Sequence, residues 1–312
     1  MLRDLESKGQ LPPEIFFLEI GVGTGTRCGL WLDQFQTLDN RRGTHYYPRL
    51  RVLLGDYSLA TLDQSRPAVE KHAGLCSFLV LDARDPFKSL SFLRDKILHI
   101  HTTNVYDNLP DEEYLRHDGR LYQVQVRAYV PQADAERISA MCSIPADQYR
   151  ATVERLIVSG PEYFGDHARG MTFWQETWRA LRLEERLVSV DNLTDPGFPA
   201  DLDAAALGEI MAHAPSNLRF HLSSGALESF TNTLPLLHAR GYMQIQDIFV
   251  REFEEYEKGF RGPGKMDGSI VNWVNGALLK GVGERAGYDV HFAPFRYRKG
   301  SYTSVLYATR RS

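Results

Sequence analysis

Three cysteines in 312 residues, none of them in a C-x-x-C pair, are too few and too scattered for a disulfide framework or a structural zinc site. Cys28, Cys76 and Cys142 read as free thiols of a reducing compartment. Also missing is any apolar run near the ~20 residues of a membrane span. The stretch "MLRDLESKGQLPPE" carries charges where a secretory leader needs an apolar centre, so the expectation is a cytoplasmic protein with no membrane partner. A strong charge excess is absent too. The formal net charge of -4 gives no global pull toward nucleic acid, which is not expected as a partner. No internal repeat is evident. What the chain does have is a 43% hydrophobic content, enough to bury a full core.

The most informative segment is "FFLEIGVGTGTRCGLWLDQF", residues 16 to 35, in which an apolar strand-like run enters an amphipathic stretch through Gly21, Gly23 and Gly25. A dinucleotide fingerprint, G-x-G-x-x-G, would need its third glycine where Thr26 stands. Glu19, just before the turn, would repel a pyrophosphate and attract an ammonium or sulfonium. S-adenosylmethionine offers both cations and no phosphate. Its carboxylate can use the N–H groups at a helix start, while glycines let the backbone approach closely. The competing reading is a tight strand-to-helix turn that binds nothing.

Apolar runs recur at 15 to 20, 51 to 56, 76 to 82 and 96 to 104, with helical stretches between them, which is the rhythm of a parallel sheet with crossover helices. Leu59, Leu62 and Val69 mark the apolar face of one such helix. Glu19, Asp56, Asp82 and Asn104 close the four strands, where open parallel sheets bind ligands. From about residue 131 to 217 the rhythm breaks. "TFWQETWRALRLEERLVS" and its neighbours read as helices, and "DNLTDPGFPADLD" as a loop. The alternation resumes with a helix over "GALESFTNTLPLLHARG", a strand at "YMQIQDIFV", a helix over "GSIVNWVNGALLKGVGERAG" and a closing hairpin joined by "KGS". The expectation is a Rossmann-like α/β fold whose domain runs over residues 1–130 and 218–312, with a helical insertion at 131–217 acting as a substrate lid.

On these residues the chain resembles a class I S-adenosylmethionine-dependent methyltransferase, whose fold is a seven-stranded, mostly parallel sheet with an antiparallel terminal hairpin. Within that class "LLGDYSLATLDQSR" and "TTNVYDNLPDEEY" are similar to the MidA-like group, which includes the mitochondrial complex I assembly arginine methyltransferase. Asn104, Asp107 and Pro110 match that group's pattern, whereas Val105 stands in place of its glutamate. The resemblance implies that Glu19, Gly21, Gly23 and Gly25 cradle the methionine part of the cofactor. Asp56 would take the ribose hydroxyls, Tyr57 would stack on the adenine, and Asp82 with the Ala83 backbone would receive the adenine amino group. The gap from Gly25 to Asp56 exceeds a compact unit, an excess matching the loop read at "TLDNRRGTHYYP".

Methyl transfer mainly requires alignment, with an acid or amide to orient the acceptor or take its proton. Asn104 and Asp107 are the candidates, against the reading that they merely cap a polar loop. The acceptor is a protein side chain or a small molecule, with nitrogen favoured over oxygen. His99 and His101 share one strand face but lack a third ligand at suitable spacing, so no metal is expected. Phe173, Trp174 and Trp178 read as core of the insertion rather than a substrate cage. A nicotinamide dehydrogenase fits poorly. The stronger alternative is a catalytically silent binding or assembly factor on the same fold.

Overall fold

Apolar runs that alternate with amphipathic stretches fold here as strands and crossover helices. The computed structural model describes residues 1–191, 204–259, 262, 264–266, 269–298 and 300–311. In chain order, α1 (Leu2–Ser7), β1 (Ile15–Ile20), α2 (Thr26–Arg42), β2 (Leu50–Asp56), α3 (Leu59–Ser65), β3 (Cys76–Val80), α4 (Pro86–Leu90) and β4 (Ile97–Thr103) form the first half. Next come β5 (Glu113–His117), β6 (Arg120–Tyr129), α5 (Gln132–Met141), α6 (Tyr149–Ser159), α7 (His167–Ala180) and β7 (Arg182–Val190). Then α8 (Ala204–Ala212), β8 (Leu218–His221), α9 (Ser224–Thr233), β9 (Leu237–Asp247) and β10 (Phe249–Val250) follow. The chain closes with α10 (Glu254–Glu257), β11 (Gly264–Met266), β12 (Ser269–Val271), β13 (Val274–Asn275), α11 (Gly276–Arg285), β14 (Tyr288–Pro294) and β15 (Ser304–Arg310).

Seven strands pair in the order β14-β15-β9-β4-β1-β2-β3, and β15 alone runs against its neighbours. This is the expected mostly parallel sheet with an antiparallel terminal hairpin. Alternation along each strand divides the core by sheet face. Phe17, Leu50, Val52 and Leu54 pack with Cys28, Leu32 and Phe35 of α2. Leu18, Ile20, Ile100, Met243, Ile245 and Leu306 pack with Leu227 and Phe230 of α9 and Leu278 and Leu279 of α11.

Residues Met1–Leu121 and Val190–Ser312 make one compact unit, and Tyr122–Ser189 another, where the sequence expectation ran from 131 to 217. Helix α8 belongs to the larger unit, to whose core it supplies Leu207 and Met211. The smaller unit has its own core of Ile138, Cys142, Tyr149, Leu156 and Phe173. Phe173 is fully buried between the Tyr149 and Phe164 rings, as a core residue and not a cage.

Several local expectations are corrected. "TLDNRR" is not loop but the last turns of α2, which end at Gly43 in the left-handed region (φ 65°). The buried Asp39 carboxylate turns the chain there by accepting the Tyr46 and Tyr47 amides at 3.0 and 2.9 Å. The helix after β2 stops at Ser65 because Pro67 follows, and Leu59 lies on its exposed side while Leu62 and Val69 are buried. Helix α7 ends at Ala180, and "RLEERLVSV" is strand β7, the neighbour of β6. Sheet pairing outweighs its helix-compatible composition. Pro235 ends the helical stretch after α9, so "LHARG" opens β9. Helix α11 begins only at Gly276, where the Asn275 side chain accepts the Leu278 amide at 3.1 Å, and β12 and β13 precede it. Residues 192–203 of the loop expected at "DNLTDPGFPADLD" and residue 299 of the "KGS" joint lie outside the described residues.

Candidate active site

Register carries the strand ends to one edge of the sheet. Asp56 pairs with Val80, Ile20 with Gly55, Thr103 with Gln246, and Asp247 with Ser304. The edge therefore reads, from β3 across to β15, Asp82, Asp56, the glycine turn, Asn104, Asp247 and Ser304. The turn after β1 falls where neighbouring connections leave to opposite sides, the position at which open α/β sheets take ligands.

The three glycines do different jobs. All have positive φ, at 76°, 53° and 74°, which L side chains rarely adopt. A Cβ on Gly21 would meet Val105 Cγ2 at 2.3 Å, and one on Gly25 the Ser65 carbonyl at 2.7 Å. Both are packing glycines. Gly23 alone opens on free space, with nothing within 4 Å of its added Cβ. The Gly21 amide donates to the Gly55 carbonyl at 2.8 Å, which ties the turn to β2.

Glu19 is buried, and Arg27 in the first turn of α2 holds it through Nε to Oε1 at 2.9 Å and Nη2 to Oε2 at 2.5 Å. Glu19 is therefore not the free charge expected to attract a sulfonium or ammonium, because a guanidinium already balances it. Asp56 is buried at the end of β2, its Oδ1 accepting the Ser58 amide at 3.1 Å, and Ser58 in turn caps α3. Tyr57 is 83% exposed, a ring with no cover. Asp82 is exposed, and its Oδ1 accepts the Arg84 amide at 2.9 Å while Arg84 Nη2 reaches Oδ2 at 3.2 Å. Partial burial would raise the Asp82 carboxyl, but the Arg84 amide and guanidinium outweigh it and hold it below the usual range. Ala83, beside it, is partly buried.

Asn104 is exposed, in the left-handed region at φ 50°, and its amide donates to the Gln246 carbonyl at 3.0 Å. Asp107 is buried, and Asn108 Nδ2 donates to its Oδ1 at 2.7 Å. Sequence reasoning missed its partner. Asp247, fully buried at the end of β9, accepts through one oxygen the amides of Val105, Tyr106 and Asp107 at 3.2, 3.0 and 3.4 Å. Its other oxygen takes the Ile248 amide at 2.8 Å. Burial, then the nearby Asp107 charge, push Asp247 up to about 7, against the pull of these amides. Burial likewise raises Asp107, with the Asn108 bond opposing it. The available signal was an acid closing the alternating run "YMQIQD", as Asp56 closes its own strand.

His99 and His101 do share a face and are buried, which keeps both imidazoles neutral well below the ordinary histidine range. His99 stacks on Tyr242 at 4.4 Å, and His101 Nε2 pairs with Thr103 Oγ1 at 2.7 Å. Among the described residues no group of three or more His, Cys, Asp or Glu could hold a metal ion, and no helix is long and apolar enough to cross a membrane.

The buried carboxyls predict a stability profile. A raised carboxyl contributes stability below its unfolded value, near ~4, and loses it as pH rises through the folded one. Asp247 is raised to about 7 and Asp111, by burial, to about 8. His221, lowered to about 3 by burial, works oppositely and loses stability as pH falls below ~6.5. From pH 6.5 to 8.5 the two raised carboxyls act against the terminal amine alone, which burial lowers from its ordinary value. The melting temperature should fall across that window, and Asp111→Asn, which keeps the oxygen that accepts the Ser223 amide at 2.6 Å, should make the fall shallower.

No family model matches the chain, and no curated protein matches it. Among solved structures, a candidate methyl transferase from Burkholderia thailandensis bound to S-adenosyl-homocysteine is similar with a TM-score of 0.56 at 14% identity, over 99% of this chain and 74% of that one. An uncharacterized protein of the same superfamily and organism is similar with a TM-score of 0.56 at 13% identity, over 99% of this chain and 76% of that one. At such identities the likeness is one of fold: a mostly parallel seven-stranded sheet with an antiparallel terminal hairpin.

Proposed function

We propose that the protein is a methyltransferase that takes S-adenosylmethionine as methyl donor and favours a nitrogen acceptor, on a protein side chain or a small molecule. One observation carries the reading: Gly23 faces free space at the sheet edge where Asp56 and Asp107 arrive. The chain's residues fit the cofactor. The turn around Gly23 would cradle its methionine part, with Arg27 and the first amides of α2 available to its carboxylate. Asp56 would accept the ribose hydroxyls, exposed Tyr57 would close on the adenine, and Asp82 with Ala83 would meet its amino group. When bound, the cofactor supplies a methyl on a positively charged sulfur, so the bonding pair leaves with the sulfur as the acceptor's lone pair takes the carbon.

The residues after β4 would then align and deprotonate. Asp247 fixes the loop from Val105 to Asp107 through three amides, and the Asp107 carboxylate would take the proton the acceptor nitrogen loses. A carboxyl raised above its usual range suits this task near neutral pH. Titrating S-adenosylmethionine, S-adenosyl-homocysteine and NAD by calorimetry tests the reading. The first two should bind and NAD should not; binding of NAD alone would overturn it. The silent-factor alternative draws on Val105, which packs over Gly21 where the resembled group has an acid. Cofactor binding with no turnover on any acceptor would favour it.

The unit at Tyr122–Ser189 is proposed to carry acceptor specificity as a lid or wall. Replacing residues 131–180 by a Gly/Ser linker should spare cofactor affinity and abolish turnover. Undiminished turnover would remove that role.

A further inference from the structure

A cavity of about 380 Å³ lies beyond the ends of β9 and β14, next to the strand edge that carries Asp247. None of the cofactor-binding candidates lines it. Its walls include the rings of Phe249, Trp273, Phe295 and Tyr302, with Trp273 and Tyr302 edge to face at 5.6 Å. Its volume lies in the range of small-molecule pockets, and the rings share its walls with polar groups, among them Arg251, Glu255, Arg298 and Ser304.

Two polar features give it a chemistry. Ser304, the first residue of β15, lines the cavity, is 7% exposed, and its Oγ has no hydrogen-bond partner among the described residues. Leaving a buried hydroxyl unpaired is unfavourable, and a polar ligand atom meeting it would supply the missing partner. Ser304 stands opposite Asp247 on the neighbouring strand, so a group bound there sits one rung from the Asp107–Asp247 pair. The second feature is charge. Arg251 donates to Glu255 at 3.2 Å, so these two lining residues cancel. Arg298 is exposed and, among the described residues, pairs with no carboxylate, which leaves a surplus positive charge in the lining.

We propose that this cavity is the acceptor pocket and that the acceptor is a small, flat, apolar molecule with one carboxylate or phosphate. The inference rests on the methyltransferase reading. The rings of Trp273 and Tyr302 hold the flat body, Arg298 holds the anion, and Ser304 turns a hydrogen-bonding group toward Asp107. A cationic side chain such as arginine is disfavoured, because Arg298 repels it and Glu255 is already paired.

The test uses the full chain and three probes of one shape: 2-naphthoate, 2-naphthyl phosphate and the uncharged 2-naphthamide, titrated by calorimetry with S-adenosyl-homocysteine present and absent. At least one anion should bind ten-fold or more tightly than the amide, and which one does identifies the anionic group. Arg298→Ala should erase that preference while Trp273→Ala weakens all three probes. Equal binding of anion and amide, no binding of any probe, or a preference that survives Arg298→Ala overturns the proposal. S-adenosyl-homocysteine is titrated into each variant as well. Probe binding without it would leave the pocket standing and sink the cofactor reading, and the converse would sink the pocket alone.

Discussion

Gly23→Val should reduce affinity for S-adenosylmethionine by on the order of 100-fold or more, roughly 2.7 kcal/mol of binding free energy. Among the described residues no atom lies within 4 Å of a Cβ built there, so the side chain would grow into open space that the proposed cofactor would take. The backbone is the confounding factor, since φ is 53° and a non-glycine residue held there costs about 1–3 kcal/mol of stability. Gly23→Ala separates the two effects, because it shares the strain but intrudes less. Alanine should lose stability with only part of the affinity loss, and valine should lose both. Calorimetry below the melting temperature of each variant reads the outcome. A folded valine variant that binds the cofactor as the parent does would remove the turn from the site.

Much of this edge was legible in the sequence, and the reasons differ by residue. Asp56 could be read because it closes an apolar run, and Asp107 because it follows Asn104, which closes another, by three residues in the pattern of the resembled group; strand ends in a parallel sheet converge. The glycines were legible as a turn but not as individuals. That Gly21 yields to Val105 and Gly25 to Ser65 depends on residues 84 and 40 positions away, which local pattern cannot see. Glu19 shows the same limit, since its partner Arg27 comes eight residues later on another element and cancels a charge that looked free. Asp247 was hidden inside a strand whose neighbours were unknown; only the pairing of β9 with β4 brings it under the amides of Val105 to Asp107. Strand β7 was read as helix because its composition suits either state, and its partner β6 decides between them. Ser304 and the cavity beside it gave no local signal, because they are made by a hairpin folding against a loop some thirty residues earlier.

Asp107→Asn should lower turnover by roughly 10²- to 10⁴-fold, the range of general acid–base effects, with affinity for S-adenosylmethionine little changed. The substitution keeps shape, and one amide oxygen can still accept from Asn108 Nδ2 as Oδ1 does at 2.7 Å. What it removes is the carboxylate that would take the acceptor's proton, together with its repulsion of Asp247. That second loss gives the variant a signature that a loop-capping residue would lack. Burial raises both carboxyls, Asp247 to about 7, so ionising the pair above neutral pH costs the folded state stability that it has at lower pH. Asp107→Asn relieves the cost. At pH 8 the variant should melt no lower than the parent, and its melting temperature should fall less between pH 6.5 and 8.5. The parent's turnover should rise with pH as the base ionises, at a pH above the usual carboxylate range because burial raises it, and the residual turnover of the variant should lose that dependence. A merely structural Asp107 gives the opposite pair of results: a lower melting temperature, and near-normal turnover in the folded fraction with the parent's pH profile. Turnover and melting measured on one preparation across that pH range decide between the two.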